Sequence, residues 1–89
     1  MQGVAIFRDN NNVPVIFMYK EINKNKILLV IYYNRNLKYN YVDCKMITKL
    51  IPSDAIHIIT SLPYYNDINL TLRFWKIMIY NRLKNYNKV

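Results

Sequence analysis

The first half of the chain alternates between apolar runs and short polar clusters. The apolar runs cover residues 4–8, 13–21, 27–34 and, more weakly, 39–46. The clusters between them are rich in Asn, Asp and Lys. Asn and Asp favour turns because they tolerate left-handed backbone and bond their own main chain. Connections of about four residues join antiparallel neighbours, since a parallel crossover needs about a dozen. The pattern therefore predicts an antiparallel β-meander of three or four strands.

Helical signals replace this pattern in the second half. Ser53 follows Pro52 and can cap free amides, and Asp54 would stand favourably in a first helical turn. These residues predict a short helix over about 54–62, which would stop before Pro63.

Residues 68–86 show two stripes at helical spacing. The apolar stripe consists of Ile68, Leu72, Trp75, Ile79, Leu83 and Tyr86. The polar and basic stripe consists of Asn69, Arg73, Lys76, Tyr80, Lys84 and Asn87. Together they predict a long amphipathic helix. Alternating apolar residues over 68–74 leave a strand there as the competing interpretation, and the longer double stripe favours the helix.

The predicted fold is therefore α+β, in a single small domain over residues 1–89. A three- or four-stranded antiparallel meander, within about residues 4–46, would carry the short helix and the long C-terminal helix packed on one face. The hydrophobic fraction of 53% is sufficient for a core. The predicted core joins Trp75, Leu72, Ile79 and Leu83 to Ile16, Met18, Leu28, Val30 and Tyr32.

The amino-acid composition affects how strongly the basic residues indicate a binding function. Thirteen Asn, thirteen Ile, nine Lys and nine Tyr make up about half of the chain, and all four can be encoded by A and T alone. This bias indicates an AT-rich genome, such as that of a virus or mobile element. Thirteen Lys and Arg against five acids give a net charge of +8. Asp and Glu codons are also AT-leaning, so the shortage of acids is the more informative half of that balance. The charge predicts a polyanionic partner, either nucleic acid or an acidic protein surface.

Few residues are suited to catalysis or to metal binding. The chain has one Gly, too few for a glycine-rich phosphate-binding loop, and one Cys, too few for a Cys-based zinc site. We therefore predict no cofactor, metal ligand or catalytic residue, with Cys44 as a small buried residue and His57 as a packed or half-exposed helix residue. One enzymatic alternative is a toxin-like ribonuclease that stabilises phosphate charge. Its candidate residues are Arg35, Lys45, Tyr41 and His57.

The chain carries no recognisable secretory signal. Its longest apolar run, 27–33, is far shorter than the ~20 residues that cross a bilayer. We therefore expect a soluble, intracellular protein.

The candidate binding site combines the polar stripe with basic residues near the strand tyrosines. Its predicted nucleic-acid-binding residues are Arg73, Lys76, Lys84, Asn69, Tyr80, Lys38 and Arg35. Lys and Arg would neutralise phosphates, Asn and Tyr would add hydrogen bonds, and tyrosines on the sheet could stack single-stranded bases. Two alternatives remain: an ordinary solvated helix face, or a virus-encoded inhibitor that docks on a host or viral protein through its tyrosine-rich sheet or edge strand. A homodimer is also compatible with such a surface. Docking on an anionic membrane is disfavoured, because the apolar stripe is needed to cover the sheet.

Overall fold

A computed structural model describes residues 1–87, with the side chains of all of these except residues 83 and 85–87. Its seven elements are β1 (Gln2–Arg8), β2 (Pro14–Asn23), β3 (Lys26–Tyr33), β4 (Asn36–Val42), α1 (Cys44–Leu50), β5 (Ile56–Ile58) and α2 (Ile68–Asn87). The strands form one antiparallel sheet in the order β4-β3-β2-β1-β5. The predicted α+β class with a meander and a long C-terminal helix is confirmed.

Alternating side chains divide the sheet into two apolar faces. The face that packs against α2, called the α2 face, carries Val4, Ile6, Ile16, Met18, Leu28 and Val30. The opposite face, called the α1 face, carries Ala5, Val15, Phe17, Ile27 and Leu29 and packs against Ile47 of α1. The two helices thus lie on opposite faces, whereas the prediction placed both on one. The central strands are continuously apolar because both of their faces are covered.

The predicted core on the α2 face is confirmed for most of its members. Trp75 and Ile79 are buried, and Leu72 and Tyr32 pack partly buried against the same cluster. The predicted core residue Leu83 and the stripe residues Tyr86 and Asn87 lie outside the described side chains. The helical interpretation of 68–74 is correct. The carboxylate of Asp67 starts this helix by accepting the amide of Asn69 at 2.9 Å.

The short helix was predicted in the wrong place. Residues 54–62 contain no helix; instead β5 pairs with β1, with Val4 opposite Ile58 and Ile6 opposite Ile56. The β-branched residues of this segment suit a strand, and β1 would otherwise present an open edge. Tertiary pairing therefore outweighs the local capping signal at Ser53 and Asp54.

The fourth strand begins and ends earlier than predicted, over residues 36–42 instead of 39–46. β4 ends at Val42, and Asp43 caps α1 by accepting the amide of Lys45 at 2.9 Å. The helix ends before Pro52, because the residue that precedes a proline is disfavoured in helical backbone. Ile51 is accordingly extended, with φ −95° and ψ 121°. The prediction of a strand over 39–46 missed Asp43 as a cap.

Candidate nucleic-acid interface

Five of the seven predicted binding residues lie along the outer surface of α2. Trp75 and Ile79 face the sheet and are buried. Positions three or four apart share one side of a helix, so the predicted stripe points away from that buried side. All five side chains are exposed: Asn69, Arg73, Lys76, Tyr80 and Lys84.

The other two predicted residues, Arg35 and Lys38, lie on the β3–β4 hairpin and not on α2. Arg35 is exposed in the two-residue turn between β3 and β4. Lys38 lies on β4 opposite Ile31, and side chains alternate along a strand, so Lys38 belongs to the α1 face. Lys38 is therefore not brought together with the α2 residues. It lies instead with Tyr33 beside an apolar hollow of about 410 Å³ on the α1 face.

The strand tyrosines are also divided between the two faces. Tyr39 and Tyr41 project from β4 on the α2 face, opposite Val30 and Leu28. Their rings meet edge to face, with centroids 6.3 Å apart and an interplanar angle of 87°. Tyr33 lies on the α1 face.

Tyr32 joins the sheet to α2 through an aromatic contact. Its ring meets that of Tyr80 edge to face, with centroids 6.0 Å apart and an angle of 85°. The tyrosine surface, defined as Tyr32, Tyr39, Tyr41 and Tyr80, therefore runs from the edge strand β4 onto the outer side of α2.

Two lysines lie over rings of the tyrosine surface. The Nζ atom of Lys26 is 4.3 Å from the ring centroid of Tyr41, and that of Lys76 is 5.7 Å from the centroid of Tyr80. Both distances fall within cation–π range. Lys26 was not among the predicted site residues, because it stood in a polar turn and only the β3–β4 register reveals its proximity to Tyr41.

Tyr41 is held as a neutral phenol. Its hydrogen bond with Tyr64 raises the pKa of Tyr41 above the ordinary value of 10.0, and burial adds to this effect. A phenol of this kind is a poor general base near neutral pH. Tyr64 was also missed at the sequence level, because it lies in an irregular connector whose path no local pattern defines.

The proposed ribonuclease residues are not assembled into one site. Tyr41 lies on β4 and His57 on β5, at opposite edges of the five-stranded sheet. Four strand spacings separate these edges by about 19 Å. The predicted helical position of His57, packed or half-exposed, is also wrong, because His57 is an exposed strand residue on the α1 face. Among the described residues, no group of three or more His, Cys, Asp and Glu side chains is placed to hold a metal ion.

Acidic residues are absent from the two segments that carry the tyrosine surface. No Asp or Glu occurs between Glu21 and Asp43, or beyond Asp67. The first gap contains the β3–β4 hairpin and the second contains α2. Within the described part of the chain, the cations Arg35, Arg73, Lys76 and Lys84 form no ion pair with a carboxylate. Their charge is therefore not neutralised locally.

Comparisons with protein-family models, curated proteins and solved structures found no match to this chain. No helix within residues 1–87 combines the length and apolar character that crossing a membrane requires.

Proposed function

We propose that this protein binds nucleic acid along the exposed side of α2 and the neighbouring β3–β4 hairpin. The observation that carries the proposal is the juxtaposition of two acid-free segments, which meet where Tyr80 contacts Tyr32. Arg73, Lys76 and Lys84 would neutralise phosphates, and Arg35 would extend the same basic surface at the end of the hairpin. The A- and T-encodable composition supports a virus or mobile element as the source.

Salt dependence tests the proposal directly. Binding of a labelled oligonucleotide, followed by fluorescence anisotropy, should weaken as salt rises. The log–log slope should be roughly −0.7 to −0.9 per neutralised phosphate. The ratio of absorbance at 260 and 280 nm should fall when protein purified at low salt is treated with nuclease. Absence of binding at low salt would refute the proposal.

A matched pair of charge reversals tests the location of the site. Lys76→Glu with Lys84→Glu changes the net charge by the same amount as Lys45→Glu with Lys49→Glu, and all four lysines are exposed. Only the first pair lies on α2; the second lies on α1, across the sheet. We expect the α2 pair to weaken binding and flatten the salt slope much more than the α1 pair. Equal effects would indicate attraction by net charge alone.

A second candidate function is docking of a protein partner on the free edge of β4. Tyr41 uses its outward amide to bond its neighbour Asn40 at 2.9 Å. Hydrogen-bonding direction alternates along an antiparallel strand, so the amides of Leu37 and Tyr39 point outward as well. An extended acidic segment could pair with them by strand addition. Copurification of a stoichiometric protein that resists nuclease would favour this function.

A further inference from the structure

We propose that the ligand is single-stranded nucleic acid, whose unpaired bases stack on Tyr39 and Tyr80. This inference rests on the proposed function and specifies the class of its ligand. Each of the two residues is 47% exposed, although tyrosine offers a large apolar surface that folding tends to cover. Their exposure on one side of the molecule is the first observation that supports the proposal.

The rings are held in position by less exposed neighbours. Tyr39 contacts Tyr41, and Tyr80 contacts Tyr32, in both cases edge to face. Such a contact uses the edge of one ring and one face of the other. Whichever ring supplies the edge, the exposed tyrosine keeps at least one face that this contact does not cover. Sequence-tolerant stacking of bases requires supported, exposed aromatic rings of this kind. On Tyr80 a base would share the ring with Lys76, whose Nζ atom lies 5.7 Å from the ring centroid.

The arrangement of the rings suits one continuous strand. Leu37 is opposite Tyr32 in the β3–β4 register, which places Tyr39 diagonal to Tyr32 at about 7–8 Å. Tyr80 lies on Tyr32 from the side of α2. The two exposed rings therefore flank Tyr32, within reach of a single short oligonucleotide.

Lysines accompany both parts of this surface. Lys26 lies over Tyr41, which adjoins Tyr39, and Lys76 lies near Tyr80. A base on either ring would thus bring its own phosphate close to a cation. In a duplex, base faces are covered by neighbouring bases, so they cannot stack on a protein ring without being unstacked. Stacking on both tyrosines therefore requires unpaired bases.

The test compares a labelled single strand of about twelve nucleotides with the duplex of the same sequence. We expect Tyr39→Leu and Tyr80→Leu each to weaken single-strand binding at least about fivefold. The affinity extrapolated to high salt should fall as well, because stacking does not depend on counterions. Phe at either position should restore binding, since the ring is retained.

The matched control is Tyr33→Leu, which removes a 40% exposed tyrosine from the α1 face. We expect it to change single-strand affinity less than twofold. Thermal unfolding of each variant would verify that the sheet is intact.

The outcomes separate this inference from the proposed function. Equal affinity for single strand and duplex, with no effect of Tyr39→Leu or Tyr80→Leu, would overturn stacking and leave nucleic-acid binding in place. Failure to bind either oligonucleotide at low salt would overturn both. Recovery of a nuclease-resistant protein partner that occupies the tyrosine surface would also overturn both.

Discussion

Tyr33 donates a hydrogen bond of 2.5 Å from its hydroxyl to the Oδ2 atom of Asp9. The other carboxylate oxygen, Oδ1, accepts the amides of Asn11 and Val13, each at 2.9 Å. One carboxylate thus organises the β1–β2 turn and ties it to the end of β3. The Tyr33 hydroxyl lowers the pKa of Asp9 below its ordinary value of 3.8, and the two amides add to the effect. Reciprocally, the carboxylate raises the pKa of Tyr33 above 10.0.

Tyr33→Phe should reduce stability in a pH-dependent way. A depressed carboxyl pKa stabilises the fold above the unfolded-state value of about 4, and this contribution is lost as pH falls through the folded value. The difference in free energy of unfolding between the protein and the variant should therefore shrink on acidification from about pH 6 to pH 2. It should also shrink as pH rises from about 10, the unfolded-state pKa of tyrosine, through the raised pKa of Tyr33 in the folded protein.

Denaturant titrations across pH, with NMR titration of the Asp9 carboxyl, measure this effect. The Asp9 pKa should rise in the variant. Tyr39→Phe is the control, because Tyr39 makes no hydrogen bond to Asp9, and its effect should not follow the Asp9 titration. A Tyr33→Phe effect that is constant from about pH 2 to pH 6 would contradict the prediction.

Trp75→Ala should remove much of the protein's stability. Trp75 is fully buried in the α2-face core, and its Nε1–H donates to the carbonyl of Pro63 at 2.7 Å. Truncation should cost about 3–5 kcal/mol, against about 5–10 kcal/mol of total stability for a small domain. Urea denaturation measures the loss. Phe74→Ala, at the adjacent exposed position, should cost less than about 1 kcal/mol. Similar losses for the two would show that Trp75 does not anchor α2.

Thr71→Val should loosen the connector that leads into α2. Thr71 is fully buried, and its Oγ1 accepts the amide of Tyr65 at 3.0 Å. Oγ1 also lies 3.1 Å from the carbonyl of Asp67, to which the hydroxyl can donate. Valine keeps the shape but leaves partly buried groups without a partner, which should cost about 1–3 kcal/mol.

Hydrogen exchange at the Tyr65 amide should accelerate in the same variant. Thr48→Val is the matched control, because Thr48 is exposed on α1 and donates to the local carbonyl of Lys45. Its effect should stay within about 0.5 kcal/mol. Unchanged exchange at Tyr65 would show that the Thr71 hydroxyl does not hold the connector.

Arg35→Gly should raise the free energy of unfolding and lower the affinity for nucleic acid. Asn34 and Arg35 both have positive φ, 52° and 66°, as the tight hairpin turn requires. Arginine is strained there and glycine is not, so the free energy of unfolding should rise by up to about 1 kcal/mol. If Arg35 contacts a phosphate, the salt slope of binding should fall by roughly 0.7–0.9.

Arg35→Lys retains both the charge and the strained backbone, so it should change neither quantity appreciably. Chemical denaturation and anisotropy on the same preparations give both measurements. A gain in stability from Arg35→Gly with an unchanged salt slope would show that Arg35 does not contact a phosphate.

Local pattern was sufficient to predict the meander and α2, because alternation and helical stripes there agree with the packing. Local pattern failed at 54–62, where pairing with β1 decides the structure. The possible helix cap at Ser53 led to the wrong prediction of a helix there. Asp43 shows the reverse case, since a usable cap was present and was missed. The tyrosine surface depends on strand register and on which face α2 covers. Neither the register nor the covered face can be read from composition. Lys26 and Tyr64 therefore had no signal in the sequence. Lys38 was grouped with the α2 residues, although it lies on the α1 face.

The pairing of β5 with β1 has a consequence for synthesis of the chain. During translation β1 to β4 can form their hairpins in order, yet the outer edge of β1 stays open until residues 56–58 leave the ribosome. The side chain of Gln2 then accepts the amide of Leu62 at 2.9 Å, which fastens the later segment to the first strand. A nascent chain that stalls before residue 56 would present β1 as an open edge strand, prone to pair with the same edge of a neighbouring chain on the same messenger RNA.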